Sequence, residues 1–221
     1  MAELRARGFL FDMDGTLLNS VAVVERLWIE VSEQYGMSAD EVIAACHGRQ
    51  AYSVLAEFLG HEPVSLHRQI IDWFDEQELV ATEGIVAIAG AAQLLESLRA
   101  QGAPFALVTS ANRQLAGVRL AAAGLAMPDI AITADRVQHS KPDPEGFLLG
   151  ASALGIDAAS CVAFEDADAG MQAVLASGAQ LVAVGDTPML TDAAASARAR
   201  IIDYTGVSVA PDGDDWVLTL P

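Results

Sequence analysis

Positive charge is scarce in this sequence: twelve Lys and Arg side chains stand against thirty Asp and Glu, a formal net charge of −18. No basic run of the kind that grips a phosphate backbone occurs, so nucleic acid and anionic membranes are not expected partners. A small anionic substrate stays open, provided a cation and a few basic groups build a local positive pocket. Cysteine is scarcer still. Cys46 and Cys161 are far apart, with neither metal-type spacing nor a nucleophile signature around them, and both read as buried small residues instead of a disulfide. No apolar run approaches the roughly 18 residues that would span a bilayer. Residues 1–7 are charged and lead directly into a strand pattern, so no signal peptide is expected and the cytoplasm is the default location.

A chain of 221 residues can form one large α/β domain or a core carrying an inserted module, and either has room for a substantial buried core. Apolar strand-like runs recur at 8–11, 104–108, 130–133, 161–164 and 181–184. Segments with helical spacing fall between the later ones, at 91–100, 114–123, 144–154 and 169–176. Strands alternating with helices of this length predict an α/β fold, a Rossmann-like parallel sheet covered on both faces. In such sheets the site lies beyond the carboxyl ends of the strands, near a topological switch point. Residues 20–81 break the alternation. They read as helices at 22–35, 39–46, 52–59 and 65–80, punctuated by Gly36, Gly48 and the 60–63 region. The expected organisation is therefore a core of residues 1–18 and 83–221 with an inserted α-helical cap of residues 19–82. Residues 207–209 and 216–220 flank Ala210-Pro211-Asp212-Gly213, a terminal hairpin with its turn at Asp-Gly.

Residues 9–16 read Phe-Leu-Phe-Asp-Met-Asp-Gly-Thr. Side chains at i and i+2 share a face only while a strand persists, and the chain must turn at Gly15. Asp12 and Asp14 thus sit where a strand opens into a loop. Two carboxylates this close repel unless a metal ion or a shared proton neutralises them, so the pair implies a hard cation and a reactive carboxylate.

Three more polar clusters follow apolar runs. Thr109-Ser110-Ala111-Asn112 places hydroxyls and free N–H groups at a helix start, which suits an anion; the same residues serve equally as helix caps. Lys141 sits in Ser140-Lys141-Pro142-Asp143-Pro144, where it could neutralise a phosphate or simply be solvated. Glu165-Asp166 ends the run at 161–164, and oxygens from Asp12, Asp14 and Asp166 suit magnesium. Asp168 reads as a cap for the following helix.

Taken in order, Asp12-Met13-Asp14-Gly15-Thr16, Thr109, Lys141-Pro142 and Glu165-Asp166 with Gly170 resemble the haloacid dehalogenase superfamily of aspartate-nucleophile phosphotransferases. The resemblance spans nearly the whole chain, and the inserted helices stand where the sugar-phosphate branch carries its cap. It implies that Asp12 attacks phosphorus and becomes an aspartyl-phosphate, while Asp14 protonates the leaving oxygen and later deprotonates water. It implies that Thr109, with N–H groups near Ser110, binds the phosphoryl oxygens and that Lys141 offsets their charge. Mg2+ would be held by Asp12, the Asp14 backbone carbonyl and Asp166, with Glu165 auxiliary.

Asp14 argues against the dehalogenase branch, which lacks this second aspartate. The first cap helix offers no histidine of the mutase kind, and residues 20–81 contain no lysine for a Schiff base. A phosphatase acting on small phosphorylated sugars or polyols, a monomer by default, is the expected function. A sugar-phosphate mutase and a non-catalytic phosphate-ligand sensor are the rivals. Selectivity falls to the cap: Arg49 and Gln50, in a turn with His47 and Gly48, could bind sugar hydroxyls or merely open the next helix. Glu25, Trp28 and Glu83 are further candidates for the cleft, although Trp28 at helical spacing from Val24 and Val31 reads better as cap core. The linker at 82–89 resembles a return hinge.

Overall fold

The computed structural model describes residues 2–46, 51–185 and 191–221. They fall into two compact units, Met1–Asn19 with Val86–Pro221, and Ser20–Ile85. In the first unit a six-stranded sheet has the order β6-β5-β2-β7-β8-β9. Its strands are β2 (Gly8–Phe11), β5 (Phe105–Val108), β6 (Ala131–Ile132), β7 (Cys161–Glu165), β8 (Gln180–Val184) and β9 (Ala199–Ile201). Every pairing is parallel. Parallel strands covered on both faces must be apolar on both faces, which is why β2 and residues 161–164 of β7 read as hydrophobic runs and both strands are wholly buried.

One face packs Leu10, Val108, Ile132 and Ala163 against Phe147 of α7 (Glu145–Ala153) and Met171 and Val174 of α8 (Asp168–Ser177). On the other, Phe11 stacks on Phe164 with centroids 4.6 Å apart, and Tyr204 packs against both. α5 (Ala91–Gln101) and α6 (Arg113–Ala122) flank β5 in sequence. β2 is central, with β5 on one side and β7 on the other, so the crevice at its carboxyl end is the switch point the alternation predicts.

A second, antiparallel sheet has the order β1-β11-β10, from β1 (Ala2–Ala6), β10 (Ser208–Asp212) and β11 (Asp215–Leu220). The expected terminal hairpin is present, its turn at Gly213-Asp214. The lead-in at 2–6 is itself a strand, which the sequence reading missed. Its residues are mostly exposed and include Glu3 and Arg5, so no apolar run betrays it, and its partner is the far end of the chain. Short strands β3 (Leu18–Asn19) and β4 (Val86–Ala87) pair antiparallel.

The second unit contains α1 (Val21–Tyr35), α2 (Ala39–Cys46), α3 (Ala51–Phe58) and α4 (Val64–Glu78). Its interior gathers Leu27, Trp28, Val31, Val42, Leu55, Ile70 and Phe74. Among the described residues no helix is long and apolar enough to cross a membrane.

Candidate active site

Strand pairing carries each polar cluster one step past its apolar run. Asp12 N donates to Phe164 O at 3.1 Å, and Thr109 N donates to Ile132 O at 2.9 Å. Asp12 therefore follows β2, Thr109 follows β5, and Glu165 ends β7, all at the same edge of the sheet.

Lys141 joins them from the loop before α7. Its ammonium donates to Asp12 Oδ1 at 2.5 Å, to Glu165 Oε1 at 2.7 Å and to Val108 O at 3.3 Å, and it lies 5.1 Å from the centre of the Phe147 ring. It is the only lysine in the chain, a signal that a residue count alone would have raised. The loop is tied down by Glu145, which accepts the N–H groups of Gln138 at 2.9 Å and His139 at 2.8 Å and pairs with the His139 ring at 3.0 Å. These bonds hold the Glu145 carboxyl below its usual range. His139, Asp143 and Glu145 also bring ligand atoms within 4.8 Å of one another, but Glu145 is already committed to the loop. A cavity of about 170 Å³ opens beside Thr109, Ser110 and Lys141, with Val137, Gln138 and His139 in its wall.

Glu165 does more than the sequence suggests. Its Oε2 accepts the N–H groups of Asp166 and Ala167, each at 2.8 Å, which satisfies donors at the entry to α8. The helix itself has no side-chain cap: Asp168, expected to cap it, instead accepts from Gln172 Nε2 at 2.6 Å. Gly170, four residues beyond Asp166, has the space to match: a Cβ there would overlap the Glu165 carboxylate.

Asp166 is oriented by the loop after β2. Thr16, fully buried, donates its hydroxyl to Asp166 Oδ1 at 2.9 Å. Gly15 adopts φ +84°, and a Cβ there would strike the same carboxylate. Both residues stand in the motif after Asp14, and no local pattern ties either of them to Asp166.

Burial raises the Asp12 carboxyl well above its ordinary range; Lys141 opposes the rise, while Glu165 and Asp166 add to it. Burial, then Glu165, push Asp166 up to about 7, with Thr16 and Lys141 pulling back. For Lys141, burial favours the neutral amine, but Asp12 and Glu165 outweigh it and hold the ammonium above its usual range. Asp12, Glu165 and Asp166 thus offer oxygens within 4.8 Å of one another and share one ammonium. An all-oxygen donor set with surplus negative charge fits a small hard cation.

Asp14 is not part of that group. Its Oδ2 accepts from Arg119 Nη1 of α6 at 2.8 Å. Asp14 is thus paired with an arginine that no motif marks, since it lies 105 residues away. Thr109 Oγ1 accepts the Ala111 N–H at 3.1 Å, and the cap of α6 is Asn112, whose Oδ1 accepts the Leu115 N–H at 2.9 Å. The capping alternative for this cluster belongs to Asn112, not to Thr109 or Ser110.

Of the candidates in the helical unit, His47, Arg49 and Gln50 lie outside the described residues. Trp28 is 3% exposed and packs on Phe74 at 5.1 Å, as core. The Glu83 carbonyl accepts from Arg26 Nη2 at 2.6 Å.

The chain is 38% identical over 214 residues to hexitol phosphatase A of Escherichia coli (strain K12), covering 96% of this chain and 98% of that protein. It is 31% identical over 187 residues to fructose-1-phosphate phosphatase YqaB of the same organism, covering 81% and 97%. A crystal structure of a HAD family hydrolase from Deinococcus radiodurans R1, with bound phosphate and sodium, superposes with a TM-score of 0.70 at 28% identity, covering 91% of this chain and 93% of that one. The family model for haloacid dehalogenase-like hydrolases matches residues 6–178; the chain belongs to that family.

Proposed function

We propose that this protein is a magnesium-dependent phosphatase that hydrolyses small sugar or sugar-alcohol phosphates through an aspartyl-phosphate on Asp12. The observation that carries the reading is the single lysine, held between Asp12 and Glu165 beside Thr109 at the carboxyl ends of three adjacent strands. The substrate class rests on the names of the relatives at 38% and 31% identity.

The Asp12 carboxylate attacks phosphorus. As the new O–P bond forms, the bond from phosphorus to the ester oxygen breaks, and Asp14 gives its proton to that departing oxygen. Water then attacks the phosphorus, Asp14 takes the proton, and the bond to Asp12 breaks to release inorganic phosphate. Thr109 and the N–H groups around Ser110 receive the phosphoryl oxygens, and Lys141 compensates charge on the nucleophile and on the phosphate. Asp12, Asp166 and the Asp14 carbonyl would hold the magnesium ion, with Glu165 behind them. Bound there, the ion supplies positive charge for phosphoryl oxygens. Arg49 and Gln50 are our candidates for binding sugar hydroxyls, and their variants should raise KM more than they lower kcat. A monomer in the cytoplasm fits the acidic composition and the two free cysteines.

The test is phosphate release across a panel of sugar, polyol and glycolytic phosphates with magnesium. Release from sugar or polyol esters, abolished by Asp12→Asn with an unchanged circular dichroism spectrum, is the expected result. Full turnover by Asp12→Asn would sink the reading. Isomer formation without net phosphate, promoted by a bisphosphate, would select the mutase; binding without turnover would select the sensor.

A further inference from the structure

Arg119 is the only arginine among the described residues that is buried. A guanidinium is costly to remove from water and is retained in a protein interior only with a partner of opposite charge. Here the second aspartate of the Asp12-Met13-Asp14 motif is one such partner, with side-chain exposures of 8% for Arg119 and 29% for Asp14. The carboxylate of Asp14 stands outside the oxygen cluster formed by Asp12, Glu165 and Asp166, so a cation bound there would not by itself orient it.

Arg119 comes from an element whose other end belongs to the phosphate site. α6 starts immediately after Thr109-Ser110, capped by Asn112 and tied to Asp135, whose Oδ1 accepts the Arg113 N–H at 3.0 Å. Leu115, Ala116 and Leu120 bury its inner face. Arg119 lies in the last turn, where a cation also meets the negative end of the helix dipole. A single rigid helix therefore sets both the loop expected to receive the phosphoryl oxygens and the contact to Asp14.

We propose that Arg119 is a positioning residue that, by binding Oδ2, fixes the Asp14 carboxylate for proton transfer to the departing ester oxygen and from the attacking water. A short side chain at the mouth of a loop has several rotamers, and a proton carrier displaced by an ångström loses much of its effect. The inference rests on the proposed role of Asp14 as proton carrier and extends it to a residue 105 positions away that none of the motifs contains.

The test compares two esters on the magnesium-loaded enzyme. Sorbitol 6-phosphate has a poor leaving group that needs a proton; p-nitrophenyl phosphate leaves as a stable anion that does not. Arg119→Gln should lower kcat on sorbitol 6-phosphate about 10- to 100-fold, within the range of general acid catalysis, and lower it less than about threefold on the aryl ester. KM should change little. Arg119→Lys should restore part of the lost rate, and Asp14→Asn with Arg119→Gln should be no slower than Asp14→Asn alone. Equal losses on both esters for Arg119→Gln, or a double variant that multiplies the single losses, would overturn the proposal. If Asp14→Asn itself slows both esters equally, Asp14 is not the proton carrier, and the inference falls with that reading. If Asp14→Asn discriminates between the esters and Arg119→Gln does not, the inference falls alone. Should Arg119→Gln not fold, the same ester comparison on Arg119→Lys decides.

Discussion

Gly170 lies so close to Glu165 that a single methyl group on it would overlap the carboxylate. Glu165 cannot easily give way, because Lys141 holds one oxygen and two backbone N–H groups hold the other. The glycine in this motif is thus a space requirement, set by an acid five residues earlier.

Gly170→Ala should accordingly cost about 2 kcal/mol, as overpacking of a tight interior does. For a chain of this size that lowers Tm by about 4–8 °C. The displaced Glu165 should also loosen Lys141, so kcat should fall together with Tm. A thermal melt and phosphate-release kinetics on the same preparation check both; an unchanged Tm would contradict the contact.

Lys141→Met leaves Asp12, Glu165 and Asp166 without their cation. The metal-free protein should lose about 3 kcal/mol at neutral pH, the scale of a broken buried ion pair. Magnesium should recover part of that loss, and kcat should drop by at least about 100-fold. In the unaltered protein the same ammonium, held charged by Asp12 and Glu165, should resist amine acylation at pH 8. Because no other lysine exists, mass spectrometry of the acylated protein reads this directly.

Asp166 is pushed up to about 7 from an ordinary 3.8. Between those values the folded, metal-free protein holds a proton that the unfolded chain has released, so this group's contribution to stability is full below the lower value. It is lost as pH rises through the upper one. A bound cation must displace that proton. Magnesium affinity should therefore weaken about tenfold per pH unit below 7 and level off above it. Calorimetric titration from pH 5.5 to 8 measures the slope; a flat profile would refute it.

Thr16→Val removes the hydroxyl that Asp166 accepts at 2.9 Å. A hydrogen bond to a charged group contributes about 1.5–3 kcal/mol, so magnesium should bind about tenfold more weakly at pH 7. Since that bond pulls Asp166 down, the pH at which affinity levels off should move up by about one unit. The isosteric valine keeps the packing, and an unaltered pH profile would mean that Thr16 does not orient the carboxylate.

Whatever depends on neighbours along the chain is legible before any folding. The apolar runs at 8–11 and 161–164 announce buried parallel strands because both faces of such strands must be covered. Asp12, Thr109 and Glu165-Asp166 stand at strand ends because each directly follows such a run, and the helical spacing of residues 20–81 is equally local. Tertiary structure alone decided which of those polar groups answer one another. Lys141 meets Asp12 and Glu165 only because β2 lies between β5 and β7. Arg119 meets Asp14 across 105 residues because α6 returns along the sheet, and β1 finds β11 only when the two ends of the chain are brought together. Glu165 curls back over the N–H groups of Asp166 and Ala167 because Lys141 anchors its other oxygen. Local pattern sets the period of a strand or helix. The partner of a buried charge is set by which elements pack side by side, and no window of sequence carries that information.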